Sequence, residues 1–252
     1  MKTCIVVSTT NKASMNIYEN LKRYNLKNVI FHLSEKEIID FEDLDKEVDA
    51  DLFIFASSHK SESNKKSLCI HYPGNWNKNE MGGKERQLII TNSSVFKEGF
   101  VELNKLAKGL DYEVSTEADH HGPYLEKPAI FVEVGSTEKE YEDKKAGDVL
   151  AKVIAKMISN DKEYDTVMVF GGLHYNMTAN KLLLNTNYAV SHICPKYRLE
   201  DLDEEIVKQA LEKSVEKISF VVLDWKGLGK AKDKVLDILN KLSIKYERYD
   251  KI

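Results

Sequence analysis

The sequence predicts an α/β fold with a mostly parallel central sheet and helices on both faces of that sheet. Short apolar runs alternate with longer stretches of helical periodicity along the chain. Several of these runs are apolar at every position, which is typical of strands buried on both faces. Only four prolines occur in 252 residues, and no Gly/Ser/Pro-rich linker is present. Residues 1–252 are therefore predicted to form a single domain.

The predicted strands are short, rich in β-branched residues and bounded by polar turns. They cover residues 3–8, 28–32, 51–56, 67–71, 112–116, 129–134, 166–170, 189–194 and 219–223, the last of which is expected to be the final strand. Helical periodicity is expected over residues 13–24, 94–108, 138–160 and 176–185. The charged segment 60–66 and the region 74–87 are expected to be long functional loops.

Composition limits the class of protein. The net charge is −4, which argues against non-specific coating of nucleic acid but leaves room for a local basic patch. Cys4, Cys69 and Cys194 form no CxxC pair, so a thiol zinc knuckle and a thioredoxin-type motif are excluded and a reducing cytoplasm is expected. The first residues turn polar too soon for a signal peptide, and no stretch approaches the ~20 apolar residues of a membrane span. No membrane partner is expected.

Histidines are the main indication of function. Five of the seven end or follow predicted strands, and residues at or after the ends of parallel strands gather at one edge of a sheet, where ligands bind. These five are His59, His71, His120, His121 and His174. A single histidine after a strand is more often a capping or surface residue, so the prediction depends on their convergence. His32 and His192, which belong to predicted strands, are expected to be structural.

The pair His120–His121 lies beside two carboxylates, Glu117 and Asp119. A neutral imidazole accepts a proton near neutral pH or binds a metal ion. A neighbouring carboxylate orients that imidazole or shares the metal. The spacing matches no standard zinc signature, so the residues alone leave proton transfer and metal binding both open.

Glycine-containing turns are candidates for substrate binding, because their backbone amides are accessible to an anion and a ligand approaches them closely. The residues are Gly74, Asn75, Trp76, Gly82, Gly83, Gly135, Ser136, Gly171 and Gly172. An ordinary capping turn is the more common explanation for Gly135–Ser136, where Ser136 or Thr137 is expected to cap a helix. Tight packing is an equally simple reason for Gly171–Gly172.

Lysines are densest between residues 226 and 234. Lys226, Lys230 and Lys232 are candidates for contacts with nucleic-acid phosphates, and a solvated helix start is the alternative. The stretch lacks the spacing of a Walker loop. No Gly-x-Ser-x-Gly elbow and no cysteine in a nucleophile context occur. Attack by water, helped by histidine or a metal ion, is therefore the favoured chemistry.

Six segments together resemble a known family. They are ASSHKS at 56–61, HYPGNW at 71–76, MGG at 81–83, EADHHGP at 117–123, FVEVGSTE at 131–138 and GGLHY at 171–175. In this order they resemble the archaeal and plant type of D-aminoacyl-tRNA deacylase, also called D-tyrosyl-tRNA deacylase. The resemblance covers nearly the whole chain. One departure is Asp119, where the family more often has Thr.

The resemblance implies a fold similar to peptidyl-tRNA hydrolase and phosphorylase-like proteins, zinc as cofactor, and a role in translation quality control. The substrate would be D-aminoacyl-tRNA, cleaved to free D-amino acid and tRNA. From the residues themselves a monomer is expected, because no heptad pattern or exposed apolar strip stands out. Catalysis would rest on His120 or His121 with Glu117 and Glu133. The implied zinc ligands are His59, His71, His120 and His174.

Three alternatives remain open from sequence. One is a different hydrolase on the same fold, such as a peptidyl-tRNA hydrolase, whose substrate has a blocked amine, or a metal-dependent amidohydrolase. The second is a non-catalytic RNA-binding module, which would be expected to interleave basic and aromatic residues. The third is a structural role for all the histidines, which titration or metal analysis would address.

Overall fold

The computed structural model describes residues 1–79 and 81–252 and has the predicted α/β class with mostly parallel strands. The strands are divided between a six-stranded and a four-stranded sheet, a division that the strand pattern along the chain does not reveal. The strands are β1 Thr3–Ser8, β2 Val29–Ser34, β3 Leu52–His59, β4 Ser67–His71, β5 Glu113–Thr116, β6 Ala129–Gly135, β7 Thr166–Phe170, β8 Ala189–Cys194, β9 Ile218–Leu223 and β10 Tyr246–Arg248.

Seven α-helices connect the strands of the described chain. They are α1 Lys12–Leu21, α2 Ser93–Leu106, α3 Glu138–Tyr141, α4 Lys144–Ile158, α5 Met177–Asn185, α6 Glu204–Glu212 and α7 Lys232–Lys241. Within the described ranges, no helix is long and apolar enough to cross a membrane.

Two predictions about the elements are wrong. The periodic stretch 138–160 is two helices, because Asp143 caps α4 with its side chain after the short α3 has ended. Residues 219–223 are not the last strand, since β10 follows and pairs with β9. β10 has only three residues and alternating exposure, so its sequence lacks the apolar run of a buried strand.

The six-stranded sheet has the order β2-β1-β3-β6-β4-β5. All its pairs are parallel except β4 with β6, which run antiparallel. Helices cover one face of this sheet, not both faces as predicted. On that side, Gly99 of α2 packs directly against Ile70 of β4, and Gly147 of α4 packs against Asn16 of α1. Ile70 is paired with Val132 of β6, so the residues that alternate with these two face the other way.

The four-stranded sheet has the order β10-β9-β7-β8 and is parallel throughout. It is buried on both sides. Val167 and Val169 of β7 join the core that includes α2 and α5, whereas Met168 and Phe170 join a second core with α6 and α7. The two cores are thus separated by this sheet. That residues 1–252 form a single domain stays a prediction.

Helix α2 buries two charged neighbours, Lys97 and Glu98. The Lys97 ammonium donates to the carbonyl oxygens of Leu183, Thr186 and Tyr188 at 2.8–2.9 Å, which closes the carboxyl end of α5. Burial lowers the pKa of Lys97 to about 8 even so. Charged groups here hold the layers of the fold together.

Glu98 accepts bonds from three side chains beyond the helix: Lys156, Lys162 and the hydroxyl of Tyr164. Burial raises the pKa of the Glu98 carboxyl, but these three partners outweigh burial and lower it to about 2. Glu98 therefore joins α2 to α4 and to the segment before β7.

Candidate active site

One face of the six-stranded sheet carries the polar side chains of the site. Residues at alternating positions of a strand share a face. The register pairs His59 of β3 with Gly135 and His71 of β4 with Phe131. Glu133, between these two positions of β6, therefore points to the same face as both histidines. The site lies over this face, not only beyond the strand ends as predicted.

Segment 117–121 bridges the two sheets. On one side the amide of Glu117 donates to the carbonyl of Ile70 in β4, at 3.2 Å. On the other side the amide of Asp119 donates to the carbonyl of Ile193 in β8, at 3.1 Å. The segment thereby places its own histidines, His120 and His121, between the first sheet and the loop that follows β7 in the second sheet.

Glu117 is the centre of the site and is fully buried. Its Oε2 lies 3.0 Å from Nε2 of His174 and 3.4 Å from Nε2 of His120. Its Oε1 lies 3.1 Å from Nδ1 of His59. Burial raises the pKa of the Glu117 carboxyl, but its contacts with His174 and His59 outweigh burial and hold the pKa well below its ordinary value. Glu117 is therefore an ionised carboxylate at neutral pH.

His59 lies between two carboxylates. Its Nδ1 is 3.1 Å from Glu117 and 3.6 Å from Glu133, and its Nε2 is 2.7 Å from the hydroxyl of Tyr175. Burial lowers the pKa of His59, but the two carboxylates outweigh burial and raise it to about 11. Both ring nitrogens thus have partners, and the ring is an imidazolium that stabilises the negative charge of the site.

Three histidines share one arrangement: His71, His120 and His121 each direct Nδ1 at a backbone carbonyl. Because a carbonyl only accepts, Nδ1 carries the hydrogen and Nε2 is left for other chemistry. The acceptors are the carbonyls of Tyr72, Ala118 and Gly122, at 3.0, 2.9 and 2.5 Å. His121 also has a φ of +41°, a strained conformation for a residue with a side chain.

The charge of these rings differs. Burial, and then the charge of His71, lower the pKa of His120 well below its ordinary value and that of His121 to about 4. Both are neutral at neutral pH. Burial lowers the pKa of His71, but Glu133 outweighs burial and raises it. A cation, whether a proton or a metal ion, is thus favoured between His71 and Glu133.

Nε2 of His71 is buried in this cluster without a hydrogen bond, and Oε1 of Glu117 has only the ion pair with Nδ1 of His59. Such orphaned atoms are costly unless an ion or water meets them. Imidazole nitrogens and carboxylate oxygens are among the atoms that bind zinc, and the backbone carbonyls that accept from Nδ1 fix the ring orientation, as is usual for metal-binding histidines. The residues present therefore fit a zinc ion.

The implied set of four zinc ligands does not meet at one point among the described residues. Donor atoms within 4.8 Å of one another occur in four groups of three: His71–His120–His121, Glu117–His120–His174, His71–Glu117–Glu133 and His59–Cys69–Glu117. His71 and His120 thus occur together with His121, whereas His174 and His59 belong to other groups. Which of these histidines bind zinc stays a prediction.

A cavity of about 170 Å³ opens in front of the cluster. His120, His121 and His174 form its inner wall, and the turn at Gly74 forms another side. Met81 and Asp119 also line the cavity, as do Lys78, Tyr197 and Arg198, which nothing in the sequence marks. The Tyr197 hydroxyl is 3.0 Å from Nδ1 of His174, which ties the cavity rim to the buried centre.

Two predicted substrate contacts, Asn75 and Trp76, line the cavity but have buried side chains with structural partners. The amide of Asn75 donates to the carbonyls of Gly82 and Lys84, and the indole of Trp76 donates to the carbonyl of Ile193. Their contact with substrate stays a prediction.

The predicted glycines pack closely against other backbone. A Cβ on Gly122 would lie 2.1 Å from the amide nitrogen of Gly83 and 2.6 Å from the carbonyl carbon of Gly82, so these turns dock together and hold the neighbouring His121. A Cβ on Gly135 would meet His59. Close packing therefore explains why glycine occupies these positions.

The remaining predicted turn residues also have protein partners. The hydroxyl of Ser136 donates to the carbonyl of Lys65, and Thr137 is the residue that caps the following helix. Gly171 and Gly172 have positive φ and approach the loop 224–227. Contact of these residues with substrate stays a prediction.

Two of the three predicted tRNA-binding lysines, Lys226 and Lys230, lie between β9 and α7, and Lys232 is the first residue of α7. Lys226 and Lys230 are exposed, whereas the ammonium of Lys232 lies 4.5 Å from the centre of the Trp225 ring. Lys232 is therefore partly engaged by a cation–π contact.

His192 and His32 lie away from the cluster, as predicted. His192 is fully buried and bonds to Asp119 at 2.6 Å and to the carbonyl of Lys213 at 3.0 Å. Asp119 also accepts from the amide of Ile193 at 2.9 Å, and burial raises the pKa of its carboxyl. Asp119 is thus a clamp between segment 117–121 and β8.

The fold and the site define an α/β protein with a buried histidine–carboxylate centre where two sheets meet. A family model described as D-aminoacyl-tRNA deacylase matches residues 46–247. This chain belongs to the D-aminoacyl-tRNA deacylase family.

Individual relatives agree with this assignment. A D-aminoacyl-tRNA deacylase of Pyrococcus furiosus is 30% identical over 266 aligned residues, covering 96% of this chain and 98% of its own. A D-aminoacyl-tRNA deacylase of Methanosarcina acetivorans is 39% identical, covering 83% of this chain and 73% of its own. A solved structure of a conserved protein of unknown function superposes with a TM-score of 0.92 at 24% identity, covering 100% of this chain and 96% of its own, which shows a shared fold.

Proposed function

We propose that this chain hydrolyses the ester bond of D-aminoacyl-tRNA, releasing the D-amino acid and tRNA, with Glu117 as the residue that handles the proton. The observation that carries the proposal is the buried Glu117 carboxylate contacted by His59, His120 and His174 behind a cavity. Membership of the deacylase family supplies the substrate class.

Hydrolysis needs a base for the attacking water and an acid for the leaving ribose oxygen. The Glu117 carboxylate is the proposed acceptor of the water's proton and the proposed donor of that proton to the ribose oxygen. Its depressed pKa favours passing the proton on rather than keeping it. His59 and His174 fix the orientation of the carboxylate from either side. Nε2 of His120 lies 3.4 Å from the same carboxylate. His120 is therefore proposed to hold the water and the ester within reach of Glu117.

Zinc is proposed as the cofactor, held by His71, His120 and His121. Their ring nitrogens lie within 4.8 Å of one another, and Nε2 of His71 has no hydrogen bond. Bound zinc supplies a Lewis acid that acidifies water and polarises a carbonyl. Glu133, with its pKa lowered to about 2 by His59 and His71 against burial, keeps negative charge beside the ligands.

The cavity wall carries the remaining roles. Lys78 and Arg198 add positive charge where the carbonyl oxygen becomes negative in the transition state. The turn from Gly74 to Trp76 faces the aminoacyl group, and selection of D over L comes from steering the side chain so that the L form clashes. Lys226, Lys230 and Lys232 are proposed to meet tRNA phosphates.

Several wider features are proposed with this function. The enzyme acts in the cytoplasm, where aminoacyl-tRNA is made, as part of translation quality control. It acts as a monomer. A likeness of the fold to peptidyl-tRNA hydrolase and phosphorylase-like proteins is also proposed, on the family resemblance alone.

A single substitution tests the role of Glu117. Glu117→Gln keeps the shape of the side chain but removes the base, so the single-turnover rate of D-Tyr-tRNA hydrolysis should fall by roughly 10²–10⁴-fold. Glu113→Gln on β5 is the matched control, because Glu113 is exposed and pairs with Lys65 at the surface. A Glu117→Gln rate within a few-fold of the wild-type rate would remove Glu117 from the mechanism.

Metal analysis tests the zinc ligands. We expect the purified protein to contain zinc and His121→Ala to lose it, because a missing ligand weakens the site strongly. His32→Ala is the control, since His32 packs on Phe41 away from the cluster. Full zinc content in His121→Ala, measured by elemental analysis, would contradict the proposed ligand set.

A further inference from the structure

A second cavity adjoins the first across a single side chain, Tyr197. Its volume is about 750 Å³, within the range of about 300–1,000 Å³ typical of ligand sites. Leu173 and Tyr197 stand at its mouth and are 72% and 55% exposed. The buried Leu228 forms part of its wall. Large exposed apolar side chains beside a cavity indicate a binding surface.

This second cavity is called the groove below. Its position matters because of the chemistry of the substrate. The ester joins the amino acid to the ribose of the terminal adenosine, so this ribose must reach the histidine–carboxylate cluster. The first cavity, at about 170 Å³, is below the usual size of a ligand site and suits the reacting groups alone. The base and the preceding nucleotides must lie outside it. Tyr197 lines both cavities, so the groove begins where the first cavity ends.

The groove wall combines three chemical features. Tyr197 supplies an aromatic ring, over which the Arg198 guanidinium lies at 5.6 Å from the ring centre. Lys196 and Lys230 are exposed cations on the groove wall. Aromatic rings that stack bases and cations that follow the backbone are the features that bind single-stranded nucleic acid.

Two carboxylates also line the groove, those of Glu200 and Asp201. Carboxylates repel phosphate, but they accept hydrogen bonds from the exocyclic amines of cytosine and adenine. All three nucleotides of the CCA end of tRNA carry such an amine. Cations and carboxylates in one groove therefore fit an amine-bearing single strand better than a bare phosphate.

We propose that this groove binds the single-stranded CCA end of tRNA, with a base of that end stacked on the ring of Tyr197. Lys196 and Lys230 meet its phosphates, and Glu200 accepts from a cytosine amine. The inference rests on the proposed function, because the ester substrate is what connects the two cavities. It adds Tyr197 and Lys196 to the lysines already predicted from sequence.

Fluorescence tests the stacking directly. The probe is an uncharged RNA oligonucleotide ending in CCA, with 2-aminopurine in place of the terminal adenine. Stacking quenches this base, so wild-type protein and Tyr197→Phe, which keeps the ring, should quench it. Tyr197→Ala should lose the quenching and bind about 5- to 100-fold more weakly. Unchanged quenching and affinity in Tyr197→Ala would overturn the proposal, provided that its circular dichroism matches the wild type.

Salt dependence tests the phosphate contacts independently. Each neutralised phosphate of a single strand contributes about −0.7 to the slope of log affinity against log salt. The double variant Lys196→Ala/Lys230→Ala should therefore reduce the slope by about 1.4. Lys27→Ala is the control, because Lys27 is exposed and precedes β2, at the amino ends of the strands. A slope equal to wild type in the double variant would overturn the phosphate contacts.

Binding and hydrolysis are separate readouts. Quenching that depends on Tyr197, without hydrolysis of D-Tyr-tRNA, would support the groove and contradict the proposed function. Hydrolysis of D-Tyr-tRNA without such quenching would support the function and contradict the groove.

Discussion

At the scale of single residues, backbone carbonyls decide which histidine atoms take part in chemistry. His71, His120 and His121 each give Nδ1–H to a carbonyl of the same or a neighbouring turn. These bonds fix the tautomer and the ring plane, which is how metal-binding histidines are usually prepared. His59 differs, because two carboxylates keep it charged.

Asp119 acts at the same scale as a clamp. It joins segment 117–121 to β8 through His192 and the amide of Ile193. Asp119→Ala leaves Nδ1 of His192 and the amide of Ile193 buried without this partner, so the free energy of unfolding should fall by about 3 kcal/mol. Urea unfolding measures this difference.

Asp119→Asn is the matched variant for this prediction. Its side chain still accepts from Ile193, and its amide can donate to Nδ1 of His192 when that ring keeps its hydrogen on Nε2, facing Lys213. The loss should therefore be smaller, about 1 kcal/mol. Equal losses in the two variants would contradict the clamp.

The identities of the site residues could be predicted better than their roles. Five histidines, Glu117 and Glu133 meet in the structure, as expected from their positions after or within strands and from the family resemblance. Lys78, Tyr197 and Arg198 could not be predicted, because each is an ordinary surface residue until the chain has folded. Asn75 and Trp76 have buried partners from distant segments that no local pattern reveals.

At the scale of elements, α2 carries a buried charge that makes stability depend on pH. The folded pKa of Glu98 is about 2, below the ordinary value of 4.5. A depressed carboxyl pKa adds stability that is full above about pH 4.5 and is lost as the pH falls towards 2. The contribution at pH 7 should be about 3 kcal/mol.

Glu98→Gln should therefore be less stable than wild type at pH 7, and the difference should shrink at pH 3. Urea unfolding at both values measures it. Glu102→Gln is the control one turn further along α2, where the pair with Lys105 is at the surface and contributes little. A difference for Glu98→Gln that is the same at both pH values would contradict the buried ion network.

The bounds of a strand could be predicted where the local sequence pattern determines them. Four strands match their predicted bounds, namely β1, β4, β7 and β8, because apolar runs end sharply at polar turns. The antiparallel direction of β4 was not predictable, since it depends on its pairing with β6, about 60 residues further along the chain. That direction is the reason why His71 lies over the face of the sheet.

At the scale of the whole molecule, function arises where two sheets meet. The first sheet supplies His59, His71 and Glu133, and the loop after β7 of the second supplies His174. Segment 117–121 connects them. Periodicity along the chain predicts the strands but cannot assign them to sheets, because pairing depends on contacts between distant segments. The family resemblance supplied the function, which composition and spacing alone left open.

The measurement that tests the central claim most directly is the single-turnover release of tyrosine from D-Tyr-tRNA and from L-Tyr-tRNA. We predict fast release from the D form and release from the L form slower by on the order of 100-fold, a difference of about 2.7 kcal/mol between the two transition states. Pre-treatment with a chelator should slow the D reaction. Equal release from both forms, or release from neither, would contradict the account.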